Sequence, residues 1–176
     1  MPLMDAAKSL LVIIDFQERL MPAIHDGPRL VANARRLVDA ARLLEVPTLV
    51  TEQYPAGLGP TVSELSGIGP VIEKVSFDAC GAPAFLDAVA GDKDLIICGC
   101  EAHVCVLQTV LGLLDAGRTV YLVRDALGSR RAENKETAIR RMERHGAEIV
   151  TTEMVAFEWL VTCEHPRFRE VVALVK

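Results

Sequence analysis

Short aliphatic runs alternate along this chain with longer stretches of helical periodicity, and nothing else in the sequence constrains the fold as strongly. The first run, "SLLVII", carries no polar residue after its serine and stops at Asp15. A strand buried on both faces reads this way; a half-exposed one would alternate. The next segment, "DGPRLVANARRLVDAARLLE", spaces Leu30, Ala34, Leu37, Ala41 and Leu44 by fours and threes. That is the stripe of an amphipathic helix, with Pro28 suited to its first turn. Further strands are predicted at 46–51, 69–74, 94–98, 118–123 and 147–151, and further helices at 83–89, 102–116 and 132–145. "EQYPAGLGPTVSELSGI" is rich in Gly and Pro and reads as a loop, with a short helical turn near 62–65.

Six strands separated by helices, with no hairpin signal, predict a three-layer, doubly wound α/β fold around a mainly parallel sheet. The common strand order for such a sheet is 3-2-1-4-5-6. With 176 residues, no linker and no repeat, the chain is expected to be one domain, 1–176. Phe157, Trp159, Leu160 and Phe168 fall in short helical segments of the tail. These segments, 153–176, either pack back on the sheet or join copies of the chain into a homo-oligomer.

Composition narrows the function classes. Lys and Arg number 19 against 24 Asp and Glu, a net charge of −5 that argues against a broad footprint for nucleic acid. No apolar run reaches the roughly 18 residues that span a bilayer. "LLVII" follows a lysine closely and meets Asp15 at once, unlike a secretory signal. Five cysteines, an odd count in a chain of this size, fit free thiols in a reducing compartment. The expectation is a cytoplasmic protein, or one of an organelle matrix, without a membrane partner.

Ligands of doubly wound sheets bind at the carboxyl ends of the strands, where strand order reverses. In the expected order that point lies between strands one and four, so Asp15 converges on "LIICGCEAHVCVLQTV". Its three cysteines separate by position. Cys98 belongs to a buried strand and reads as core. Cys100 lies in the following turn, with packing as the default and a pocket wall as the other reading. Cys105 falls at a helix start, where the dipole and free amides lower a thiol from about 8.5 toward the reactive range. Packing explains Cys105 as well, and position alone leaves both open. The stretch has no second ligand pair for structural zinc and no CxxC. His103 lies two residues from Cys105 and does not face it on a helix. Asp15 alone reads equally as a loop cap. No GxGxxG follows strand one and no GxxxxGK[ST] occurs, so nucleotide readings are weak.

Taken together, "LLVIIDFQ", "EKVSFDA" and "CGCEAHVCVLQTVLGLLDAG" resemble the isochorismatase-like cysteine hydrolase superfamily. The resemblance extends through "RTVYLVRDALGSR" and "AEIVTTEMVAFEWL", and the tail looks most like the branch of small, poorly assigned isochorismatase-domain hydrolases. It implies an Asp–Lys–Cys triad at Asp15, Lys74 and Cys105, and a cis peptide at Cys100–Glu101. Backbone N–H groups of Glu101 and Cys105 would then form an oxyanion hole. The nicotinamidases of this superfamily hold a metal with histidines after strand two; "TEQYPAGLGP" has none, so no metal and no cofactor is expected. True isochorismatases do not depend on a cysteine at this position, so hydrolysis of a small-molecule amide or related C–N bond is the expectation. Phe16, Gln17, Tyr54 and Phe77, with Cys100, are the expected pocket residues. The competing expectation is a non-catalytic or redox-responsive domain with a reactive thiol at Cys105.

Overall fold

The computed structural model describes residues 3–176. A 3-10 turn at Ala6–Lys8 leads into β1 (Ser9–Ile14), then a 3-10 turn (Met21–Ala23), α1 (Gly27–Leu43), β2 (Thr48–Gln53) and the short α2 (Pro55–Leu58). A turn at Ser63–Leu65 precedes β3 (Val71–Lys74), and another at Ala79–Gly81 precedes α3 (Pro83–Ala88). Next come β4 (Asp94–Cys100), a π-helical turn (Ala102–Val106) and α4 (Leu107–Asp115). The chain ends through β5 (Val120–Gly128), α5 (Ala132–Arg144), β6 (Glu148–Val150), α6 (Thr152–Leu160) and α7 (Phe168–Val175). The six strands form one sheet in the order β3-β2-β1-β4-β5-β6, and every pairing is parallel.

All six residues of β1 are buried, because helices cover both faces of the sheet at its centre. Alternate side chains feed opposite layers. Leu11 and Ile13 join Leu37, Trp159 and Val171 on the side of α1, α6 and α7. Leu10, Val12 and Ile14 join Phe85, Val110 and Ile139 on the side of α3, α4 and α5. The α1 stripe faces the sheet as its spacing requires, with Leu30, Ala34, Leu37 and Ala41 buried and Leu44 partly so. In the tail, α6 and α7 pack against α1, and the Trp159 indole donates to Ser9 Oγ at 3.0 Å. Among the described residues no helix is long and apolar enough to cross a membrane, and all five cysteines are free.

Three strands run past the ends expected from the sequence, two of them through charged or polar residues. β2 continues through Glu52 and Gln53, β4 through Gly99 and Cys100, and β5 through Arg124 and Asp125 to Gly128. Charged groups end a buried strand only when nothing meets them. Here Glu52 Oε1 accepts from the Thr61 backbone and hydroxyl, both at 2.7 Å. Arg124 pairs with Glu136 at 2.6 Å, and Asp125 Oδ1 accepts from Thr152 N at 2.8 Å. The β4–β5 register shifts between Ile97 and Gly99, and Cys100 is the last residue of β4 rather than part of a turn.

Candidate active site

The ends of β1, β2 and β3 bring polar side chains to one point at the carboxyl edge of the sheet. Asp15, the residue after β1, has a φ of 53°, in the left-handed region that aspartate tolerates better than bulkier residues. Its fully buried carboxylate accepts from Thr51 Oγ1 at 2.6 Å on one oxygen and from Lys74 Nζ at 2.8 Å on the other. Both side chains of this ion pair have 0% exposure. The Lys74 ammonium also donates to Gln53 Oε1 at 2.7 Å and to the carbonyls of Ser76 and Phe77 at 3.4 and 3.3 Å. These extra acceptors matter, because Coulomb attraction alone seldom offsets the desolvation of two buried charges.

Cys105 arrives from the other half of the sheet. The Cys100–Glu101 peptide bond is cis, and the chain then enters the π-helical turn, a geometry frequent at functional positions. Gly99 permits the close approach of β4 to β1. A Cβ there would lie 2.5 Å from the Ile14 carbonyl oxygen, a backbone atom that has no freedom to move aside. Cys105 is buried, and its thiol is directed to Gln53 Oε1 at 4.0 Å. Burial pushes this thiol up to about 12, Asp15 adds to the rise and Lys74 opposes it. The direction is opposite to the lowering expected at a helix start: Cys105 lies inside a π-turn, in the same buried layer as Ala79, Ala102 and Val106, and loss of water is the largest influence on it.

The other predicted residues divide into support and rim. Phe16 is fully buried in the layer of α1 and has no surface to offer a ligand. Gln17, also fully buried, donates to the carbonyls of Gln53 at 3.0 Å and Gly59 at 2.7 Å, while its Oε1 accepts from Gln53 N at 2.8 Å. Gln17 holds the end of β2 in place instead of lining the cleft. Tyr54 and Phe77 are 57% and 52% exposed. Tyr54, Pro55, Ala56, Lys74, Val75 and Ser76 are among the residues around a cleft of about 550 Å³. A larger cavity of about 680 Å³, against Met21, Val31 and Val62, contains none of the predicted site residues. Cys100 faces the α1 layer with Cys98 and is core. The Glu101 side chain accepts from Arg130 N at 3.1 Å and Nε at 3.0 Å. His103 lies 3.0 Å from Ser129 Oγ and 3.4 Å from Asn134 Nδ2. Among the described residues no group of three His, Cys, Asp or Glu side chains is arranged for a metal ion.

Thr51 and Gln53 escaped the sequence reading. Carrying strand two through "TEQ" would have exposed them, since its period of two puts Thr51 and Gln53 on one face and Glu52 on the other.

Residues 9–154 match the isochorismatase domain. The chain belongs to the isochorismatase family. Isochorismatase domain-containing protein 2A of Mus musculus is 40% identical over 173 residues, spanning 96% of this chain and 82% of the relative. The human isochorismatase domain-containing protein 2 is 38% identical over 170 residues, 96% of this chain and 83% of that protein. Among solved structures, the MAR1 ribonuclease of Caenorhabditis elegans superposes with a TM-score of 0.94 at 38% identity, covering 99% of this chain and 92% of its own. The YcaC gene product of Escherichia coli, an octameric hydrolase of unknown specificity, gives 0.89 at 27% identity, with 99% and 88% coverage. YcaC of Pseudomonas aeruginosa, solved with hexane-2,5-diol and covalent acrylamide, gives 0.91 at 26% identity, with 98% and 91% coverage. The family implied by the motifs and the sheet order implied by the alternation both stand.

Proposed function

We propose that this isochorismatase-family protein is a cysteine-dependent hydrolase of small-molecule amides or related C–N bonds, acting through a thioacyl intermediate. The observation that carries the reading is the sealed Asp15–Lys74 ion pair beside the Cys105 thiol. Such a pair is costly to bury and has chemical use: a fixed carboxylate next to a protonated nucleophile. Cys105 Sγ attacks the substrate carbonyl carbon as its proton passes to Asp15, and the carbonyl oxygen takes the negative charge. Backbone N–H groups of Glu101 and Cys105 receive that oxyanion. The C–N bond then breaks, the proton on Asp15 goes to the leaving nitrogen, and the acyl group stays on sulfur. Water adds to the thioester, giving one proton to Asp15. The acid departs, and that proton returns to the thiolate. Lys74 holds Asp15 in place and offsets the negative charge that builds on sulfur.

A raised thiol changes what reactivity means here. The sulfur is not a standing thiolate, so its proton must leave during attack. Covalent acrylamide in the P. aeruginosa YcaC structure shows that a protein of this fold forms a covalent adduct with a small electrophile. The ribonuclease name of the C. elegans relative makes RNA the second substrate to try. A net charge of −5 weighs against RNA. The open cleft beside Lys74, about 550 Å³ with Tyr54, Pro55 and Ala82 on its walls and Glu73 and Ser76 among its polar groups, suits a small molecule. We also infer self-association, in line with the octameric E. coli YcaC.

The test is a panel of small saturated amides and RNA, with turnover and intact mass followed in parallel. An adduct on Cys105 is expected, absent in Cys105→Ala and slowed at least tenfold in Asp15→Asn. Because Asp15 raises the thiol, a standing-thiolate mechanism would make Asp15→Asn label faster. Faster labelling, or turnover that survives Cys105→Ala, overturns the reading.

A further inference from the structure

We propose that Gln53 is a positioning residue of this centre: its side-chain carbonyl anchors the Lys74 ammonium between Asp15 and Cys105 and faces the Cys105 thiol as an acceptor. The inference rests on the thiol-hydrolase reading of the site and adds a fourth side chain to it. Gln53 is the last residue of β2, and its amide has only one workable orientation. Nε2 donates to the Val75 carbonyl at 2.8 Å, while Oε1 accepts from Lys74 Nζ at 2.7 Å. Flipping the amide would set two donors against each other at Lys74 and two acceptors at Val75, so the network itself assigns the oxygen. The backbone of Gln53 is equally fixed, since the buried Gln17 amide meets both its N–H and its carbonyl.

That leaves a neutral oxygen, the negative end of the amide dipole, aimed at the Cys105 sulfur from 4.0 Å. An acceptor in that place favours S–H and disfavours S⁻. The same oxygen keeps Lys74 from swinging wholly to Asp15 or wholly to sulfur. From the elements packed on the π-helical turn, the charged groups facing Cys105 are Asp15 after β1 and Lys74 at the end of β3. Asp78, just before the Ala79–Gly81 turn, faces Gly112 farther along α4, and Glu101 is engaged by Arg130. Gln53 is therefore the neutral member of a group whose charges otherwise pull the thiol both ways.

The role predicts substitutions with opposite signs. In Gln53→Met the acceptor is gone, and the midpoint for Cys105 thiolate formation falls. In Gln53→Glu a carboxylate stands against the sulfur and competes for Lys74, and the midpoint rises. Each shift is expected to be on the order of one pH unit. The readout is the rate of Cys105 alkylation by iodoacetamide at about pH 9, taken against each Cys105→Ala counterpart, with thermal melting to confirm folding. That pH lies below the midpoint, where a midpoint one pH unit lower or higher reads as a rate about tenfold faster or slower. A merely structural role would lower the melting temperature of both variants without moving the midpoint in opposite directions. Midpoints that stay put, or move the same way, overturn the role of Gln53 and leave the hydrolase reading standing. A substrate screen without any Cys105 adduct sinks the hydrolase reading, while the midpoints still report on Gln53.

Discussion

Lys74 and Asp15 show how much one residue can depend on another 59 positions away in the chain. Neither charge has water to fall back on, and each relies on the other and on neutral neighbours, Thr51 for Asp15 and Gln53 for Lys74. Removing one partner of a fully buried pair is far more damaging than removing both. Lys74→Met should therefore lower stability by about 3–5 kcal/mol, chiefly by leaving the Asp15 carboxylate without a counter-charge. The double variant Lys74→Met, Asp15→Asn should recover a substantial part of that loss. Urea unfolding of the four proteins in the cycle measures it; a double variant no better than Lys74→Met would show that the two do not act as a pair.

At the scale of elements, the site depends on how closely β4 runs beside β1. Gly99 pairs with Ile14 in the parallel register, and its missing side chain is what lets the two backbones come together at their carboxyl ends. Gly99→Ala places a carbon against the Ile14 carbonyl, so β4 must shift and carry Cys105 away from Asp15. The cost should be about 1–3 kcal/mol of stability, as for other overpacked sites. Cys105 adduct formation should drop tenfold or more under conditions where the variant remains folded. Unchanged labelling with intact folding would show that the strand contact does not set the site. Element types were legible because apolar spacing is a local property: the stripe of α1 and the unbroken run of β1 both appear in the fold. Strand ends were less legible. Glu52, Gln53, Arg124 and Asp125 look like stops until their partners Thr61, Lys74, Glu136 and Thr152 are known.

For the whole molecule, the tail carries two readings that sequence could not separate, packing on the sheet and contact between copies. One face of α6 closes the core through Val155, Ala156, Trp159 and Leu160, so deleting the tail would open the layer beneath α1. The other face leaves Met154 44%, Phe157 42% and Val161 83% exposed. Met154 and Phe157, one turn apart on α6, and Val161 at its C-terminal cap place three large apolar groups on the surface, consistent with a contact between copies. Phe157→Asp should reduce the mass in solution by light scattering relative to the unaltered chain, with the melting behaviour of the isolated subunit preserved. An unchanged mass would place the contact elsewhere.

Sequence by itself determined the layer order, the family and the acid, amine and thiol that occupy the edge of the sheet. Those features lie in short-range spacing and in motifs that do not need partners to be recognised. Only the tertiary structure decided the chemical state of those groups. Cys105 is raised rather than lowered because burial and Asp15 act on it together. Phe16 and Gln17 became support because adjoining elements close over them, and Gln53 became part of the site because β2 extends far enough to meet Lys74. Desolvation and hydrogen bonding act through space, between residues whose separation along the chain carries no record of their contact.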